Sequence, residues 1–109
     1  MINFVVLCGI AMDSPAEIVD FEGSRTVNFV LCTSDQWVGG DWNHREHTEK
    51  HIISIPIKGF NKDIAKGDCV YLVGRMKVVK RINEKTGLIF KLTEISTDFY
   101  DIIALETSN

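Results

Sequence analysis

The chain has 109 residues, 45% of them hydrophobic and 25% charged, with a formal net charge of −3; this suits one domain with one core and excludes a large multidomain enzyme. No run approaches the roughly 18 consecutive apolar residues that span a bilayer, and the opening MINFVVLCGIAMDSPAEI lacks both a basic n-region and a small-residue cleavage site. The expectation is an unexported, cytoplasmic protein. Cys8, Cys32 and Cys69 are widely spaced, without a Cys-x-x-Cys pair, each within an apolar run. They read as small buried core residues in a reducing compartment rather than as a disulfide framework or a thiolate metal site.

In chain order, residues 2–11, 27–37, 51–58, 70–82 and 88–97 are runs rich in Val, Ile, Leu, Phe and Thr, and they predict five long strands. The stretches between them, around Asp13-Ser14-Pro15, Glu22-Gly23-Ser24, Gly39-Gly40-Asp41, Lys66-Gly67-Asp68 and Asn83 to Gly87, carry the residues that chain reversal needs. The last of these reads as a hairpin loop. Residues 60–67 alone look helical, for about two turns ending at Gly67. With no repeat, linker or low-complexity segment, residues 1–109 read as a single domain.

Periodicity assigns faces. In the fourth strand Val70, Leu72, Met76, Val78 and Ile82 alternate with Arg75, Lys77 and Arg81, which predicts one face on the core and one in water. The first strand is apolar on both faces, with Ile2, Phe4, Val6, Cys8 and Ile10 on one and Val5 and Leu7 on the other, so a covering surface such as another subunit is expected.

Charge is segregated along the chain. From Arg75 to Lys91 the six cations Arg75, Lys77, Lys80, Arg81, Lys85 and Lys91 face one acid, Glu84, in an otherwise acidic protein. Such a segment is either a solvated strand face that discourages edge pairing or a groove that tracks phosphates. Trp37 and Trp42 flank a Gly-rich loop, where a ring lids the core or stacks on a nucleobase. His44, His47 and His51 lie beside Asp41, Glu46 and Glu49; as a run passing from a loop into a strand, with His44 and His47 in the loop and His51 in sheet packing, they do not predict a metal site. No nucleophile elbow, phosphate loop or cysteine with an evident base is present, and no enzyme activity or cofactor is expected.

Five strands with a helix between the third and fourth is the layout of an OB barrel. Asn3-Phe4-Val5-Val6-Leu7-Cys8-Gly9, then Val27-Asn28-Phe29-Val30-Leu31-Cys32-Thr33-Ser34-Asp35-Gln36-Trp37, then Thr48-Glu49-Lys50-His51 and Lys66-Gly67-Asp68-Cys69-Val70-Tyr71-Leu72-Val73-Gly74-Arg75-Met76 resemble, in order and rough spacing, the bacterial and mitochondrial single-stranded DNA-binding protein family. The resemblance implies an all-β, five-stranded OB-fold barrel with one short helix between strands 3 and 4. It also implies a homo-oligomer, a tetramer or a dimer, with Ile2, Phe4, Val6 and His51 at subunit contacts.

By the same resemblance Trp37 is a base-stacking position, and Lys58, Lys77 and Lys80 are basic positions along a DNA path. Lys50, Arg75, Arg81 and Lys91, with Trp42 and Phe90, are added as candidate contacts. At three positions where the family carries stacking aromatics this chain has Lys50, Pro56 and Arg81. Each base stack is worth roughly 1–3 kcal/mol, so binding here has to rest more on charge. The expected function is sequence-tolerant binding of single-stranded DNA in replication, recombination or repair. The alternatives are an adaptor resembling primosomal replication protein N, which holds a replication partner, or an oligomerisation module with weak DNA binding.

Overall fold

A computed structural model describes residues 3–19, 23–38 and 44–104, excepting the side chains of 35–38 and 44–45. Six strands follow one another: β1 (Val5–Ala11), β2 (Ala16–Val19), β3 (Arg25–Val38), β4 (His44–Pro56), β5 (Cys69–Ile82) and β6 (Ile89–Ile103). They form one sheet in the order β1-β5-β6-β4-β3-β2, and β1 reaches back to β3 through Ile10 opposite Cys32 and Ala11 opposite Leu31. The five long strands therefore make a ring. All pairings are antiparallel except β4 with β6, which meet in parallel at Ile53/Ile95 and Ser54/Ser96.

Period-2 alternation builds the core. Val27, Phe29 and Leu31 of β3, Ile53 and Ile55 of β4, and Val70 and Leu72 of β5 are all buried, alongside Ile95 and Tyr100 of β6. Each such aliphatic side chain contributes about 1.5–3 kcal/mol, so this cluster dominates stability. On β6 the inward residues change parity, from Ile95 and Thr97 to Tyr100 and Ile102, because the register against β5 shifts between Val73 and Arg75. Gly74 stands at that bulge, where a Cβ would lie 2.5 Å from the Ser96 carbonyl oxygen. Gly9 plays the matching part where β1 crosses β3, since a Cβ there would collide with the Cys32 carbonyl.

Several expectations need correction. Among the described residues the strands number six, because Ala16–Val19 pairs with Arg25–Asn28 along the same edge of β3 that β1 uses further on. Four residues behind Pro15 are too few for a periodic signal. The helix over 60–67 does not form; Ile57–Gly59 is a single 3-10 turn instead. The Tyr100 hydroxyl accepts the Lys62 N–H (2.8 Å) and donates to the Lys62 carbonyl (2.6 Å), while Asp68 Oδ2 takes the Ala65 N–H (2.8 Å). Backbone groups that a helix would use are thereby committed elsewhere. Ile64 is still buried and Phe60 stacks on Tyr100 at 6.0 Å, so the segment gives up its apolar side chains to the core without helical turns.

The cysteines are not core residues: Cys8 is exposed, and Cys32 and Cys69 are half-buried. Cys8 Sγ lies 3.9 Å from Cys69 Sγ across β1 and β5. Burial, reinforced by Cys8, pushes the Cys69 thiol pKa above its ordinary value. Among the described residues no helix is long and apolar enough to cross a membrane.

Candidate nucleic-acid interface

Two hairpin arms rise from the ring. The β3–β4 ladder is paired from Thr26/Pro56 to Val38/His44 and leaves the core as an arm beyond Leu31/His51, and the β5–β6 arm runs from Arg75/Ser96 to Ile82/Ile89. Beyond Ile53/Ile95 and Ser54/Ser96, β4 and β6 separate, and a cavity of about 250 Å³ opens between Lys50, His51, Ile52, Met76, Thr93 and Ile95.

Residues directly opposite in an antiparallel pair share a face, so the cations of the β5–β6 arm divide between two faces. Arg75, Lys77 and Arg81 lie with Ser96, Glu94 and Phe90 on one; Lys80 lies opposite Lys91 on the other, with Val78, Ile82 and Ile89. The expected burial of the even positions stops at Leu72: Met76, Val78 and Ile82 are 53%, 64% and 48% exposed, because the arm has left the ring and meets no core there.

The cations differ in availability. Arg81 donates through Nη2 to Glu94 Oε2 at 2.8 Å, and the two side chains are only 20% and 4% exposed. Asn28 Nδ2 donates to the same oxygen at 3.3 Å. Arg81 therefore serves mainly to neutralise a buried carboxylate. Sequence reading missed this role because Glu94 lies thirteen residues away, in a strand whose burial pattern depends on the bulge. Arg75, Lys77, Lys80 and Lys91 are exposed and make no ion pair among the described residues. Phe90 is 43% exposed on the Arg81 face. Lys50 is exposed on β4 and Lys58 is exposed in the 3-10 turn. Trp37 is on β3 opposite Arg45, with its side chain outside the described set; Trp42 and Ile2 lie outside the described residues altogether.

On the β3–β4 arm, His44 and His47 belong to β4 rather than to a loop, because pairing with β3 continues to Val38. His47 Nε2 is 3.0 Å from Glu49 Oε1, and His51 Nε2 is 3.8 Å from Glu49 Oε2 and 2.9 Å from Thr33 Oγ1. The hydrogen bond and then the charge of His47 hold the Glu49 carboxyl below its ordinary range. Glu46 accepts from the Ser34 hydroxyl at 2.8 Å. Among the described side chains, the acids Glu46 and Glu49 are thus satisfied within this arm, while Lys50 makes no ion pair.

On the β1 side, Phe4, Val6 and Ile10 are 63%, 51% and 40% exposed. Val6 and Ile10 pair with Val73 and Cys69, whose β6 partners Phe99 and Ile103 are exposed as well. This makes an apolar stripe across three strands. Near its end a cavity of about 460 Å³ sits at the β5–β6 bulge, lined among others by Phe4, Pro56, Gly74, Arg75, Ser96 and Asp98.

A scan against protein-family models finds no match. Among solved structures, the chain is similar to Plasmodium falciparum SSB in complex with ssDNA, at 22% identity over 97% of this chain and 96% of that one, with a TM-score of 0.70. The fold is that of single-stranded DNA-binding proteins. The single-stranded DNA binding protein from Thermus aquaticus is similar too, at 20% identity: a deletion mutant with a TM-score of 0.72 and the wild type with 0.70. This chain is covered to 94% in both, and it spans about half of the Thermus chain, 51% and 50%. The five-strand ring closed by β1 on β3 is the OB layout expected from the sequence.

Proposed function

We propose that this protein binds single-stranded DNA with little sequence preference, catalysing no reaction, and serves replication, recombination or repair. The observation that carries this reading is the β5–β6 arm on an OB ring, where Arg75, Lys77, Lys80 and Lys91 are exposed without carboxylate partners among the described residues. Lys80 and Lys91 are directly opposite one another, an arrangement that disfavours the free protein by up to about 1 kcal/mol. A phosphate between them removes that repulsion and releases counterions. Phe90 and Trp37 supply stacking rings, and Lys50 and Lys58 extend the basic path across β4 and the turn after it. A titration of oligo-thymidine into the protein, followed by tryptophan fluorescence at low and moderate salt, tests the reading. Quenching with affinity that falls steeply as salt rises is expected; absence of both quenching and gel retardation at low salt refutes it.

The apolar stripe of Val6 and Ile10 with Phe99 and Ile103 favours a second component of this reading, self-association through β1, with Ile2 and His51 as further contacts and a tetramer or dimer as product. An exposed apolar surface of this extent is a docking face, and it equally fits an adaptor that holds a replication or repair protein. Val6→Glu is expected to reduce the solution mass to that of a monomer while leaving the folded far-UV signature intact. An unchanged mass excludes β1 as the contact.

A further inference from the structure

The cavity at the β5–β6 bulge sets one of the free cations beside a carboxylate and a ring that phosphate tracking does not need. Arg75 from β5 and Asp98 from β6 both line it, yet they form no ion pair with each other, and neither has a side-chain partner among the described residues. Opposite charges on one concavity without mutual contact leave a guanidinium fork and a carboxylate fork available to a ligand that carries both acceptors and donors. Phe4, 63% exposed, supplies an aromatic ring at the same cavity, and Pro56 and Val73 add apolar lining.

The walls are fixed in place. Asn3 Nδ2 donates to the Met76 carbonyl at 2.9 Å, which fastens the residues before β1 across β5 and brings Phe4 to the cavity. The buried Thr97 hydroxyl donates to the Val73 carbonyl at 2.5 Å and accepts the Phe99 N–H at 3.1 Å, pinning the bulge that carries Asp98. A volume of about 460 Å³ lies within the range of small-molecule sites.

We propose that this cavity is a guanine-selective pocket for one unstacked base of the bound strand. The proposal rests on the single-strand-binding reading and refines it. Guanine offers adjacent acceptors at O6 and N7, which an arginine fork contacts in bidentate fashion, and an amino donor at N2. In a single strand the N1–H beside that amino group is unpaired as well, so Asp98 accepts two hydrogen bonds from the Watson–Crick edge while Arg75 donates two to the other edge. Thymine offers one N–H flanked by two carbonyls whose lone pairs oppose the carboxylate. Cytosine and adenine each bring one amino donor beside an acceptor. Phe4 stacks on the base in each case and does not discriminate. Phe4 in this role restores a stacking surface beside Pro56, one of the positions at which the chain lacks the aromatic expected from the resemblance.

The test is fluorescence anisotropy with an end-labelled oligo-thymidine of about 15 nucleotides and the same strand carrying one central guanine or one central inosine, which lacks the N2 amino group. The wild-type protein is expected to bind the guanine strand about tenfold more tightly than the thymidine strand, with inosine between them. Asp98→Asn is expected to abolish the guanine preference by bringing the guanine and thymidine strands to similar affinity; Phe4→Ala weakens all three strands alike. Equal affinity of the wild type for thymidine and guanine strands overturns the pocket and leaves single-strand binding standing, as does a preference that survives Asp98→Asn. Failure to bind any of the three strands overturns the single-strand reading itself, and this proposal with it.

Discussion

The two hairpin arms leave the same ring and have similar length, yet they treat charge in opposite ways. On the β3–β4 arm, Glu46 is held by Ser34, and Glu49 by His47 and His51, so these acids are matched internally and Lys50 is the one described cation without a partner. On the β5–β6 arm one cation, Arg81, is spent on the buried Glu94, while Arg75, Lys77, Lys80 and Lys91 stay exposed. A charged residue in a strand is therefore a candidate ligand contact only after its partners are accounted for. Arg81 and Lys77 look alike in the alternation pattern and have different work.

The largest expected effect breaks this contrast at Arg81. Arg81→Ala leaves the 4%-exposed Glu94 carboxylate without its cation and is expected to destabilise the fold by about 3 kcal/mol, the low end for a buried pair because Arg81 is partly solvated. Urea denaturation measures it, and a loss below about 0.5 kcal/mol would place Arg81 among the free cations. Next in size are the stacking rings. Trp37→Ala and Phe90→Ala are each expected to weaken oligo-thymidine binding by roughly 1–3 kcal/mol without changing stability, read by anisotropy.

The smallest effect concerns the other arm and is a matter of pH. The Glu49 carboxyl sits below its ordinary value of 4.5, so its contribution to stability is present above that value and fades as pH falls through the lowered pKa. Glu49→Gln is expected to lower the melting temperature slightly at neutral pH and not at strongly acidic pH. A difference that grows on acidification contradicts the assigned network.

Much of the fold is legible in the residues because half-buried strands print a period of two: Val27, Phe29 and Leu31, or Val70 and Leu72, announce their inward face directly. That periodicity is silent about where a strand leaves the core. Met76, Val78 and Ile82 continue the apolar alternation of β5 into an arm with nothing beneath it. The helical look of 60–67 fails for a related reason, since Tyr100, nearly forty residues away, captures the backbone at Lys62. The histidine run lies in β4 because β3 extends to meet it, a tertiary fact that its polar composition conceals. The basic segment was visible as composition; which of its members is internally paired was not, because the pairing depends on Glu94 and Asn28 converging across three strands.

The central claim is that phosphates follow chiefly the β5–β6 arm rather than the β3–β4 arm. Its most direct test is the salt dependence of oligo-thymidine affinity in two variants, one carrying Lys77→Ala, Lys80→Ala and Lys91→Ala together, the other Glu46→Gln with Glu49→Gln. Each phosphate contact on a single strand contributes about 0.7 to the slope of log K against log salt. The lysine variant is expected to lose about 2 from the slope, and the glutamate variant to keep the wild-type slope. A lysine variant with an unchanged slope would contradict the claim.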